Sequence, residues 1–200
     1  MAHELISGNC KASEASVPEG WTFNPSKRSH RQIMFILSLC AFAISGYLAS
    51  FELGCVAHVW DPFFAAGSEK VMTSFISHAF PIPDAALGAI VYLLDALLVC
   101  VGDENRWCTS PWVTFLLAAL VVPASVTALI LIILQPTIIH SWCTLCLVAS
   151  TLMLIMLPFA LAEFAAAARL VFITRSSDVS LLQVLLQGDG RLLAPNEARR

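Results

Sequence analysis

Charge is what this sequence has least of. Asp, Glu, Lys and Arg make up 12% of its 200 residues, whereas soluble domains run near ~25%. That leaves too little polar surface for a soluble Rossmann-type or barrel enzyme, and a disordered polar chain is excluded for the opposite reason. Only 11 residues are basic, the net charge is −3 and the pI is about 5.9, so no basic face exists for a nucleic acid. Strand-like alternation is missing, which excludes a membrane β-barrel. Nine glycines exclude a collagen-like chain. Seven cysteines are too few for a disulfide scaffold, so their positions matter more than their number. There is no internal repeat, and neither end of the chain carries a catalytic motif.

Apolar residues are abundant instead: 58% of the chain, with a mean hydropathy of +0.79. Four runs are long enough to cross ~30 Å of hydrocarbon at ~1.5 Å per residue: residues 33–53, 85–101, 112–134 and 141–161. Backbone groups in lipid must be satisfied internally, which leaves only helices. The expected fold is an all-α membrane protein, a four-transmembrane-helix bundle with a long outer loop between helices 1 and 2. Pro123 and Pro158 are expected to kink the third and fourth helices. Lys11, Lys27, Arg28, Arg31, Arg106, Arg169, Arg175, Arg191, Arg199 and Arg200 all fall on one side of these spans, and only Lys70 on the other. Both termini are therefore expected in the cytoplasm.

Residues 1–31 read as a disordered cytoplasmic tail rather than a cleavable signal, with Trp21 and Phe23 as interface anchors. Residues 32–162 form the membrane domain. Residues 163–200 form a second cytoplasmic tail, in which Asp178 is placed to cap a short amphipathic helix over 179–187.

The topology sorts the cysteines. Cys10 and Cys108 face the reducing side, Cys100 lies near it, and Cys40 falls in the middle of the first helix; these four read as packing residues. Cys55, Cys143 and Cys146 lie on the outer side. In Trp142-Cys143-Thr144-Leu145-Cys146 the two thiols are three residues apart on one helix face, close enough for a disulfide after a small adjustment. A first-turn position favours a thiolate at Cys143. The plain alternative is two packing cysteines. A metal centre would add His140 and His58, but spacing shows no aligned second pair of donors, and no metal is expected.

The order of four helices, the outer loop after the first, and a C-x-x-C opening the fourth together resemble the vitamin K epoxide reductase family. Gly67-Ser68-Glu69-Lys70-Val71-Met72-Thr73-Ser74, then Pro81-Ile82-Pro83-Asp84-Ala85-Ala86-Leu87-Gly88 and Tyr92, follow that family's loop and second-helix pattern. The likeness covers residues 31–162 and suggests a divergent bacterial-type member, a multi-pass protein of a bacterial inner membrane. It implies a thiol oxidoreductase that reduces a quinone or quinone epoxide as co-substrate through the C-x-x-C pair, with a thioredoxin-like thiol partner on the outer side. Cys146 would be the sulfur nearest the quinone, and Cys143 would exchange with the loop. Cys55 would match the first loop cysteine. Asp84, Ser74, Leu87 and Tyr92 would line the quinone site. Two departures accompany the resemblance: the second loop cysteine falls at Ser68, and Ser150 stands where relatives carry a tyrosine facing the quinone. The usual internal shuttle is then broken, and a non-catalytic membrane scaffold or assembly factor that kept the fold is the competing reading.

Other polar residues have structural explanations as well. Asp84 suits the first turn of its helix. Asp95 lies mid-helix, where an ionisable group is a functional candidate by default, although a bond to a neighbouring helix is the expected role. The segment Trp60-Asp61-Pro62-Phe63-Phe64 reads as an aromatic stretch on the outer interface, covering the mouth of the bundle. His58 and His78 are loop residues with no role assigned by spacing.

Overall fold

A computed structural model describes residues 17–18, 21–74 and 83–174. Among them the regular structure is all helical, with no strand. The elements are α1 (Arg28–Glu52), α2 (Ala65–Met72), α3 (Asp84–Cys100), α4 (Arg106–Thr109), α5 (Pro111–Leu134) and α6 (Thr144–Thr174), and a π-helical turn, Gln135–Ile139, prolongs α5. Among the described residues three stretches are long and apolar enough to cross a membrane: Arg28–Glu52, Pro111–Ile139 and Thr144–Phe172. The run expected as the second span is helical, as α3, and its 17 residues extend about 26 Å. Both α5 and α6 continue through their internal prolines. The stretch expected as an outer loop also contains α2, which the sequence pattern does not announce. His78, Asp178 and the expected helix over 179–187 lie outside the described residues.

The chain divides into two compact units. One comprises Met1–Ile33, Leu98–Ala119 and Pro158–Arg200, and the other Met34–Leu97 and Leu120–Leu157. In the first unit, residues 21–27 are not the disordered stretch expected of them. Asn24 donates to the Glu104 carbonyl at 2.8 Å, and Trp21, Phe23, His30 and Phe159 form a chain of edge and tilted ring contacts at 5.3–6.0 Å. An Asn in a turn bonds its own backbone two residues on, as the Ser26 N–H does here to Asn24 Oδ1 at 2.9 Å. Cys108, expected as a simple packing thiol, is buried and disulfide-bonded.

The same unit buries an ion pair. Arg106 and Glu163 are both fully enclosed, with Nε and Nη2 of the arginine donating to Glu163 Oε2 at 2.9 and 2.5 Å. Arg106 Nη1 also donates to the carbonyls of Leu98, Val99 and Val101. Arg31 donates to those of Val99, Cys100 and Val101. These carbonyls lie at and just beyond the end of α3, where only that of Leu98 also accepts a backbone N–H, from Val101 at 3.2 Å, and the two cations answer both the hydrogen bonds and the negative end of the helix dipole.

The second unit packs through small residues. The buried face of α1 is Met34, Ser38, Ala41, Ser45, Leu48 and Ala49, an i, i+4, i+7 row that lets helices approach closely without large side chains. At Gly88 of α3, a Cβ would stand 3.1 Å from Ser45 Oγ, so glycine keeps that approach open. Cys40 is exposed rather than buried. Apolarity did not distinguish its face, because Ile36 and Leu39 also point outward where lipid is as apolar as a core. Asp95 is fully buried, and neither carboxyl oxygen finds a hydrogen-bond partner among the described residues, contrary to the interhelical bond expected of it.

Candidate functional site

The second unit assembles the site at the entry to α6. The π turn ends at His140 in the left-handed region, with φ 52° and ψ 38°, and Ser141 and Trp142 lead the chain into the helix. Cys143 is the residue before α6 rather than part of its first turn. Its carbonyl accepts the Leu147 N–H at 3.0 Å, and its sulfur accepts the Cys146 N–H at 3.2 Å. The thiol therefore takes the place of a Ser or Asp oxygen at a helix N-cap, satisfying one orphan donor. Gln135, buried in the π turn, accepts the Cys143 N–H through Oε1 at 3.2 Å.

A second layer comes from the loop after α1. Cys143 is 0% exposed and belongs to an apolar cluster with Leu48, Ala49, Val59, Val71, Met72, Ala85 and Ile139. α2 supplies two members of that cluster, Val71 and Met72, each contributing about 1.5–3 kcal/mol if its burial is complete. α2 lies so near the segment before α6 that a Cβ at Gly67 would fall 2.5 Å from the Trp142 carbonyl oxygen.

Asp61 joins the layers. Its Oδ1 accepts the N–H groups of Phe63 and Phe64 at 2.9 Å. Its Oδ2 accepts the Ser68 hydroxyl and the Thr144 N–H, the latter at 2.8 Å. Burial alone would raise the Asp61 pKa, but hydrogen bonds from Ser68, Thr144, Phe64 and Phe63 outweigh it and hold the carboxyl well below the usual carboxylate range. The loop before it is pinned by the Trp60 N–H to Tyr47 Oη at 2.8 Å and by Glu69, which accepts the Val59 N–H and meets His58. Trp60 and Phe63 are 71% and 77% exposed.

The Cys143 thiol is drawn below its ordinary range, first by hydrogen bonding with the Cys146 side chain. Burial opposes the shift, the Ser68 hydroxyl and Cys146 N–H favour it, and the Asp61 charge resists it. A lowered pKa makes a thiol a better attacker near neutral pH. Both sulfurs are free in this state.

Cys146 reaches a cavity of about 330 Å³ lined by α1, α3, α5 and α6. The volume suits a small organic ligand. Asp84, Leu87 and Tyr92 stand on its wall with Cys146, and Met72 of α2 closes one side. Asp84 Oδ1 is buried without a hydrogen-bond partner among the described residues, and the Tyr92 hydroxyl donates to the Ala149 carbonyl at 3.1 Å. Ser74 is absent from the wall; its hydroxyl donates to the Val71 carbonyl at 2.7 Å. Cys55 follows α1 as an exposed, free thiol, with its N–H on the Ser50 carbonyl. Ser150 is buried. Among the described residues no group of three or more His, Cys, Asp and Glu is arranged to hold a metal.

The sequence pattern did not single out Asp61, Gln135 or Glu52 for the site. Asp61-Pro62 carried a local signal, an Asx residue ahead of proline at the start of a turn. Glu52, the last residue of α1, accepts the Ala85 N–H at 3.3 Å and so caps α3 from another helix, which no local signal announces.

The profile of the vitamin K epoxide reductase family matches residues 32–161. No curated protein matches the chain. The match covers about two thirds of the sequence, and with three helices able to cross a bilayer the chain is a multi-pass integral membrane protein belonging to the vitamin K epoxide reductase family, a group of quinone-linked membrane oxidoreductases.

Proposed function

We propose that Cys143 and Cys146 are the redox pair of a thiol–quinone oxidoreductase and that the quinone occupies the apolar cavity beside Cys146. The observation that carries this reading is the placing of one thiol of the pair on the cavity wall and the other behind it. In the reduced pair the two thiols give up two electrons and two protons to the quinone; the S–S bond closes and the quinol leaves. A dithiol partner restores the pair. One partner thiolate attacks Cys143 and releases Cys146, then the second partner thiol displaces Cys143, and the partner leaves as a disulfide. Asp84 is the group that would hydrogen-bond a quinone oxygen, while Leu87 and Tyr92 bound the ring. The partner is a thioredoxin-like thiol protein on the outer side, where Cys55 is exposed. In this reading α3 is the fourth span, and both termini lie in the cytoplasm of a bacterial cell, as the distribution of basic residues favours.

One feature favours the scaffold alternative: the loop has Ser68 against Cys143 and no second thiol to relay electrons. The test is quinol formation by the whole protein in lipid nanodiscs, with dithiothreitol as reductant and a short-chain benzoquinone as acceptor, followed by absorbance. Cys143→Ser and Cys146→Ser should each reduce the rate to that of the double variant. Cys55→Ser should retain most of it, because dithiothreitol reduces the pair directly. A wild-type rate equal to that of the double variant would sink the oxidoreductase reading and leave the scaffold.

A further inference from the structure

Cys143 is the sulfur an external thiol must reach, yet it is sealed. The seal is made of α2 with Val71 and Met72 in the cluster around Cys143, Gly67 pressed against the Trp142 carbonyl, and Ser68, itself fully buried. One carboxylate ties this cover down. Asp61 Oδ2 accepts from Ser68 on α2 and from the Thr144 N–H at the first residue of α6, while Oδ1 fixes the turn between them through Phe63 and Phe64. A thiol at position 68 would tie loop to pair by a covalent bond; here a hydroxyl and a carboxylate do so by hydrogen bonds, which open without a redox step.

We propose that Asp61 is a positioning residue that holds α2 as a non-covalent cover over Cys143, so that release of its hydrogen bonds, rather than a loop disulfide, governs when an outside thiol reaches the pair. This rests on the pair being the redox centre, and it adds that access is set from residue 61. The titratable groups facing Cys143 are Asp61 from the loop and Cys146 from α6; Asp84 of α3 and Glu52 of α1 act on Cys146.

The experiment is alkylation of the reduced, full-length protein in nanodiscs by a water-soluble maleimide, with each cysteine followed by mass spectrometry across pH. Exposed Cys55 is the internal reference. In the wild type Cys143 should react far more slowly than Cys55. Asp61→Asn should speed Cys143 by about tenfold or more, the effect of one charge-assisted hydrogen bond on an opening equilibrium, and leave Cys55 unchanged. It should also move the pH midpoint of Cys143 labelling downward through loss of the repelling Asp61 charge; Ser68→Ala, which keeps that charge and removes a hydrogen bond that favours the thiolate, should not lower it. Should Asp61→Asn fail to fold, Ser68→Ala carries the same test with a smaller increase, because the Thr144 bond remains. Ser68→Cys in a Cys146→Ser background should close onto Cys143 under mild oxidation. Closure onto Cys55 instead, or wild-type Cys143 labelling as fast as Cys55, overturns the cover. Quinol formation plays no part in these readouts, so a failure of the oxidoreductase reading would be seen separately.

Discussion

Asp61 accepts four hydrogen bonds, and this gives the site a pH signature with a definite sign. Its folded-state pKa lies below the unfolded value of about 3.9. The stabilisation from its ionised form is therefore complete above the unfolded pKa and is lost as pH falls through the folded one. The gap in thermal midpoint between the wild type and Asp61→Asn should be full near pH 6 and narrow steadily below about pH 4. A gap equally wide at about pH 3 would mean that shape, not charge, accounts for the loss. At this scale the sequence was half legible. The adjacency of Cys143 and Cys146 was readable because it is written in a spacing of three. Asp61 was not, because its decisive partner, the Thr144 N–H, is 83 residues away. The burial of Cys143 was not readable for the same kind of reason. Its cover comes from α2, whose packing on the pair is a long-range fact.

Helices announce themselves when the pattern that makes them is local. α1, α3, α5 and α6 follow from apolar runs, with errors only at their ends. α1 starts at Arg28, before the apolar run, because basic residues outside the hydrocarbon still helix well. α6 runs to Thr174 because its alanine-rich stretch is a strong helix former. α2 has eight residues, including a glycine and a serine. Such a segment is marginal alone, and it is helical because Val71 and Met72 find a core. The end of α3 is a similar case, since its carbonyls are held by Arg31 and Arg106, which belong to other elements. Glu163→Leu would leave Arg106 buried without its counter-charge, a loss of about 3–5 kcal/mol. For a chain of this size the thermal midpoint should fall by about ten degrees. The double variant Arg106→Met, Glu163→Leu should recover much of that loss, because no charge is then stranded and Arg31 still reaches Val99, Cys100 and Val101. A double variant no more stable than Glu163→Leu would show that the carbonyl contacts of Arg106, not its charge balance, carry the stabilisation.

At the scale of the whole molecule, the proposed orientation depends on a few charges and on one short helix. α3 has 17 residues and an internal acid, Asp95, so composition alone makes it the weakest of the four proposed spans. If it crosses the bilayer, Lys70 and Asp103 lie on opposite sides. Both are exposed, which makes them better reporters than the native thiols: Cys108 is buried and disulfide-bonded, and Cys40 and Cys100 lie within helices proposed as spans. The distribution of Lys and Arg places Lys70 outside and Asp103 inside. In a cysteine-free background, Lys70→Cys should react with an impermeant maleimide added to sealed cells, and Asp103→Cys only after the membrane is opened. Reaction of both in sealed cells would mean that α3 does not span, and the chain would then cross three times with its termini on opposite sides. Reaction of Asp103→Cys alone would invert the molecule and put Cys55 and the cover over Cys143 in the cytoplasm. An extracytoplasmic thiol partner would then have no access. The orientation therefore bears directly on the proposed chemistry: with the cover outside, dithiol partners in the oxidising compartment would meet Cys143, and the quinone pool would be reached through the membrane beside Cys146.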